Sequence, residues 1–180
     1  MRRPRLHIPG ACYHVTLRGN HRQEIFFSEA DRQLLEHHVA TARERVGVRI
    51  HAYCWMTNHI HLLVQVGDTP LGNFMQRIGT CYARAVQARV PTTGHLFQNR
   101  YHALLVDVER YFAALLRYIH LNPVRAGLAV DPADYRWSSH RAYLGTTTVD
   151  WLVTDFGLRL FAANPIRARE RYREFVLQGI

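Results

Sequence analysis

The chain has 180 residues, enough for one domain with a sizeable core and a small appendage. Apolar residues make up 48% and charged residues 21%, which is ordinary for a globular protein and excludes an intrinsically disordered one. Its 23 basic residues are arginines, set against 14 acidic residues. The net charge of +9 points to a polyanionic partner, nucleic acid first, because guanidinium forks match phosphate oxygens and stack on bases.

Cys12, Cys54 and Cys81 are odd in number and lack C-x-x-C spacing, so neither a disulfide framework nor a zinc knuckle is indicated. No run approaches about 18 apolar residues, and the N-terminus has no apolar signal core. The expectation is a cytoplasmic protein without membrane attachment.

In chain order, Arg2, Arg3 and Arg5 belong to a basic arm that ends at Pro9-Gly10. Residues 11–18 alternate, with Tyr13, Val15 and Leu17 opposite Cys12, His14 and Thr16, and read as a half-buried strand stopped by Gly19-Asn20. Ser28, with Asp31 three residues on, opens a helix to Arg45 that Gly47 stops. Residues 48–56 alternate again, with Val48, Ile50, Ala52, Cys54 and Met56 on one side. Thr57-Asn58 is a turn, and the next strand follows at once, so the two form a hairpin. A helix over 71–90 ends at Pro91. Residues 97–106 read as a fourth strand, with a bulge near Asn99-Arg100. Asp107 caps a further helix that Pro123 ends just after Asn122. Trp137-Ser138-Ser139 starts a short helix, 145–148 is a linker, and 165–178 is a basic helix carrying Arg167, Arg169, Arg171 and Arg173.

The order β-α-β-β-α-β followed by a helix is the ferredoxin-like α+β arrangement, an antiparallel four-stranded sheet with two helices on one face. Its first and third strands are central neighbours.

The chemistry centres on the third strand. His59 and His61 in Asn58-His59-Ile60-His61 point to one face, because side chains alternate along a strand, and Ile60, Leu62, Val64 and Val66 form the other. Two neutral imidazoles side by side are half of a metal site. With 12 histidines, about one such triplet is expected by chance, so the alternative of two surface histidines stays open. His14 shares their face in this topology, as a hydrogen-bonding neighbour. Tyr118 and Asn122 lie four residues apart on the helix after the fourth strand, hence on one side of it. Asn122 offers a carbonyl oxygen to a cation and Tyr118 a nucleophilic oxygen. The competing reading is a helix-edge tyrosine and an asparagine capping the helix before Pro123.

Five segments taken together resemble one family: Tyr13-His14-Val15-Thr16-Leu17-Arg18-Gly19-Asn20, Met56-Thr57-Asn58-His59-Ile60-His61-Leu62, Phe97-Gln98-Asn99-Arg100-Tyr101, Arg117-Tyr118-Ile119-His120-Leu121-Asn122-Pro123-Val124-Arg125-Ala126-Gly127-Leu128 and Trp137-Ser138-Ser139. In this order and spacing they are similar to the REP-associated tyrosine transposases, single-tyrosine HUH transposases of bacteria. The resemblance covers roughly residues 5–145.

It implies a catalytic unit over 1–145 with a basic helical extension over 146–180. The implied activity is nicking and rejoining of single-stranded DNA beside REP-type hairpins through a 5′-phosphotyrosine intermediate. By position, Tyr118 would be the nucleophile, His59, His61 and Asn122 the metal ligands, and Mg²⁺ or Mn²⁺ the ion. Such an enzyme would work at the bacterial nucleoid as a monomer or homodimer. Arg2, Arg3, Arg5, Arg18, Arg22, Arg100 and Arg125 are the candidate phosphate contacts. Tyr13, Tyr101 and Trp137 are better read as core residues than as base-stacking platforms. A binding-only module and a nuclease in which water replaces Tyr118 are the alternative functions.

Overall fold

The structure, a computed structural model, describes residues 7–90 and 94–180. Arg2, Arg3 and Arg5 lie outside the described residues. Strand β1 (Cys12–Arg18) is followed by helix α1 (Glu29–Val46), β2 (Arg49–Trp55), β3 (His59–Gln65), α2 (Leu71–Gln87), β4 (His102–Val106) and α3 (Val108–Arg125). Helices α4 (His140–Leu144), α5 (Asp155–Arg159) and α6 (Pro165–Leu177) complete the chain. The strands form one antiparallel sheet in the order β2-β3-β1-β4, the ferredoxin-like arrangement expected.

Local chemistry sets the helix ends. The Ser28 side chain accepts from the Asp31 N–H, Asp107 accepts from the Arg110 N–H, and Gly47 takes the left-handed conformation that stops α1 (φ 75°). Asp31 also accepts from the Phe27 N–H and pairs with Arg89, which ties the start of α1 to the end of α2.

Both faces of the sheet are covered. On one, Val15, Leu17, Ile60, Leu62 and Val64 pack against Leu35 and Val39 of α1 and Phe74, Ile78 and Tyr82 of α2. On the other, Cys12, Ala52, Cys54 and Leu63 meet Phe112, Leu116 and Ile119 of α3, backed by Tyr143, Tyr172 and Val176. Burial of each large apolar side chain contributes about 1.5–3 kcal/mol, so α3 is anchored by its apolar stripe as firmly as α1 and α2 are.

Strand β2 departs from the simple alternation expected over 48–56. A bulge between Ile50 and Ala52 inserts one residue opposite β3. The one-residue slip exchanges the faces beyond it: Val48 and Ile50 join Tyr53 and Trp55 under α1 and α2, while Ala52, Cys54 and Met56 turn toward α3. His51, at the bulge, is buried, bridging the Val153 carbonyl (Nδ1, 3.2 Å) and Gln65 Oε1 (Nε2, 3.1 Å).

Three other boundaries move. Helix α3 does not stop at Pro123, which lies inside it. The proline lacks only the N–H that would have bonded the Ile119 carbonyl, a small loss near a helix end. The helix ends instead in a Schellman turn, with Gly127 at φ 68°, Gly127 N–H bonded to the Val124 carbonyl (2.9 Å) and Leu128 N–H to that of Pro123 (2.8 Å). The fourth strand is regular only from His102. Phe97 forms an isolated bridge to Gly19, and 98–101 is irregular.

Residues 137–139 are not helical either. Trp55 N–H bonds the Trp137 carbonyl (2.8 Å) and Ser139 N–H that of Tyr53 (3.0 Å), so this segment extends the β2 edge. It covers part of a row of backbone groups that would otherwise be open to another chain. No helix among the described residues is long and apolar enough to cross a membrane.

Candidate active site

The face of β1 and β3 turned toward α3 carries His14, His59 and His61. Register does this: Arg18 pairs with His59 and Thr16 with His61, which brings His14 beside His61 across the strand pair. His14 Nε2 lies 3.0 Å from His61 Nδ1, with the rings stacked at 5.2 Å. The Nε2 atoms of His59 and His61 converge to 3.1 Å.

The hydrogen bonds around the pair set its tautomers. Asn58 donates from Nδ2 to the Arg22 carbonyl (3.0 Å), so its Oδ1 accepts from His59 Nδ1 at 2.7 Å. That leaves His59 Nε2 as a lone pair. When His61 donates from Nδ1 to His14, its own Nε2 is a lone pair too. Two lone pairs face each other, which repels unless a cation lies between. Nitrogens each about 2.1 Å from one ion and at about a right angle are roughly 3 Å apart, so the pair fits a divalent metal.

Burial is the main cause that pushes His59 down to about 4 and His61 to about 3, with Arg18 adding to both and His59 and His14 adding to the latter. The imidazoles are therefore neutral, the form a metal needs. Among the described residues no three of His, Cys, Asp and Glu gather in a metal-binding group.

Tyr118 is the part of α3 that reaches this face. Its ring stands edge-on to His61 (5.6 Å) and His14 (5.7 Å) and is 39% exposed, open to a substrate. The Arg125 guanidinium lies over the same ring at 5.7 Å, one more cation beside the phenol. Asn122 is one turn on. It does not cap the helix; its Nδ2 donates to the Tyr118 carbonyl (2.8 Å), which leaves Oδ1 as a donor atom for a cation.

Arg18 acts on His59 and His61, and Arg125 stands over Tyr118, whereas Arg22 enters through its carbonyl, which holds Asn58. Arg100 is exposed elsewhere. It lines a groove of about 940 Å³ with Tyr13, Leu17, Phe97 and Met75, between α2 and the β4 end of the sheet. Tyr13, Tyr101 and Trp137 are 7–9% exposed and belong to the core.

Sequence reasoning missed Asn58 as the group that orients His59. The signal was its place directly before the H-x-H triplet. It also missed the loop that holds Asn58. His21 and Arg22 both have positive φ (47° and 60°), and a Cβ on Gly19 would lie 2.2 Å from the Gln23 carbonyl oxygen. Backbone this constrained is kept where the surrounding structure demands it, here to aim one carbonyl at Asn58. His120 lies on the far side of α3, fully buried, with Nε2 2.6 Å from Ser139 Oγ.

A solved REP-associated tyrosine transposase bound to a REP hairpin has a similar fold, with TM-score 0.70 and 19% identity over 85% of this chain and 92% of that one. A putative transposase from Deinococcus radiodurans R1 aligns with TM-score 0.47 and 18% identity over 66% of this chain and 94% of that one. No curated protein matches. The family model described as "Transposase IS200 like" matches residues 8–122, from before the first strand through the tyrosine helix to Asn122. With that match spanning more than half of its length, the chain belongs to the IS200-like transposase family.

Proposed function

We propose that this transposase nicks and rejoins single-stranded DNA beside REP-type hairpins, with Tyr118 as the nucleophile. The observation that carries the reading is the approach of the Tyr118 ring, 5.6 Å from that of His61, to a histidine pair whose Nε2 atoms converge. The hairpin substrate is suggested by the REP hairpin bound to the transposase of similar fold.

The reaction is a transesterification. Tyr118 Oη attacks the scissile phosphorus, an O–P bond to tyrosine forms, and the bond to the 3′-oxygen breaks in line. The phenolic proton is lost to water, and the leaving oxygen gains one to become a free 3′-hydroxyl. One phosphoester replaces another, so attack by a 3′-hydroxyl on the phosphotyrosine rejoins the strand without a nucleotide cofactor. His59, His61 and Oδ1 of Asn122 would hold a divalent cation, Mg²⁺ or Mn²⁺. When bound, the ion supplies charge neutralisation at the phosphate. Arg18 and Arg125 would contact the strand near the scissile phosphate, and Arg2, Arg3, Arg5 and Arg22 would supply further phosphate contacts.

A labelled hairpin oligonucleotide mixed with the protein and Mn²⁺, then run on a denaturing gel, tests this. A metal-dependent DNA–protein adduct is expected, absent with Tyr118→Phe although that variant still binds the hairpin. Cleavage that persists in Tyr118→Phe with no adduct would replace the reading with water attack. Binding without cleavage under either ion would leave a hairpin-binding module.

A further inference from the structure

The side of α3 opposite Tyr118 carries chemistry that the reaction does not use. The Tyr172 hydroxyl of α6 bridges His120 Nδ1 (2.7 Å) and His140 Nδ1 (2.5 Å), and the other His120 nitrogen meets Ser139 Oγ. All four residues are buried. Ser139 also accepts from the Tyr53 N–H (2.9 Å), so the chain of bonds runs from the sheet through α3 to α6.

More of the C-terminal segment grips the same helix. The Arg117 guanidinium stacks on Phe175 at 4.3 Å, and Phe156 packs edge-on against Phe112 at 4.9 Å. A Cβ on Gly179 would come within 2.8 Å of both Arg117 and Leu121, and one on Gly157 within 3.0 Å of Leu116. Helix α3 is therefore held at Phe112, Leu116, Arg117, His120 and Leu121, the residues on both sides of Tyr118 in sequence, by a segment whose purpose the family match over 8–122 does not reach.

We propose that residues 155–180 are a clamp that fixes the tyrosine helix in its working position, with Tyr172 the positioning residue. This rests on the proposed nucleophile. A helix carrying a nucleophile tolerates little error, since a displacement of about 1 Å can cost on the order of 100-fold in rate. His120 is two residues from Tyr118, and a hydrogen-bonded imidazole without water around it admits few orientations.

Tyr172→Phe keeps the ring and removes the bridge, and Tyr143→Phe is the control. Tyr143 packs on Tyr172 at 5.0 Å but donates to the His51 carbonyl (2.9 Å), outside the bridge. Three readouts apply: single-turnover adduct formation at saturating hairpin DNA, Kd for that DNA, and hydrogen exchange of the α3 amides. Tyr172→Phe is expected to slow adduct formation about 10- to 100-fold at unchanged Kd and to speed α3 exchange, with Tyr143→Phe doing neither. Equal slowing by both tyrosine variants, or an unaltered rate and exchange in Tyr172→Phe, would overturn the clamp. If wild-type protein forms no adduct at all, the nucleophile assignment fails, and the α3 exchange of Tyr172→Phe alone decides whether the clamp exists.

Discussion

At the scale of single residues, the site is a lesson in what the neighbours of a ligand do. His59 and His61 are the visible pair, but an imidazole binds a cation only when the correct nitrogen is bare and aimed. Asn58 fixes His59, and Asn58 is fixed in turn by the Arg22 carbonyl. Asn58→Ala is therefore expected to weaken Mn²⁺ binding about 10- to 100-fold in a calorimetric titration, the usual effect of losing an orienting partner. An unchanged affinity would show that His59 is oriented by packing alone. Asn122 is tested by Asn122→Asp, which keeps an oxygen and adds charge while losing the Nδ2 bond to the Tyr118 carbonyl. Retained or tighter Mn²⁺ binding would mark the position as a ligand; loss would mark its contribution as the helix bond. The shared strand face of His59 and His61 and the one-turn spacing of Tyr118 and Asn122 were legible in the sequence through strand and helix periodicity. The Arg22 carbonyl that holds Asn58 was not legible, because a backbone carbonyl aimed by a left-handed turn leaves no mark in residue type.

At the scale of elements, alternation and capping were readable wherever one local interaction decides. Ser28, Gly47 and Asp107 begin or end helices as expected. The departures arise where distant partners decide. The alternation of 48–56 looks unbroken, yet the bulge at Ile50–Ala52 exchanges its faces, and only the cover of α3 on one side and α1 and α2 on the other reveals this. Residues 137–139 pair with β2, a contact more than 80 residues away that no local pattern reports. His51 secures the bulge through Val153 and Gln65. His51→Ala leaves the Val153 carbonyl without that donor and should cost about 1–3 kcal/mol, seen as a lower urea midpoint at unchanged slope. A change in slope would mean that the register of β2 had itself shifted.

At the scale of the whole molecule, histidine links the packing of the two faces to pH. Burial and the neighbouring Arg173 hold His140 down, to about 4 despite the opposing pull of Asp131, and burial together with His140 drives His120 far below its ordinary range. His51, His59 and His61 move in the same direction in the metal-free protein. A histidine whose folded value is depressed takes up its proton more readily when unfolded. Its stabilising effect is complete above the unfolded value near 6.5 and is lost as pH falls toward the folded value. For His140 alone the loss between about 6.5 and 4 is on the order of 3 kcal/mol, and it is larger with His120 included. Asp31 does not contribute in this window, because its Arg89 partner lowers a carboxyl that already titrates below it. The urea midpoint is therefore expected to fall from pH 7 to pH 4.5, with Glu36, whose carboxyl burial raises, opposing the fall at the acid end. His140→Gln should start lower at pH 7, having lost the Tyr172 bond, and fall less steeply across the same range. Parallel slopes for wild type and variant would mean that the buried cluster admits protons without opening, and the acid sensitivity would then belong to the histidines of the active-site face.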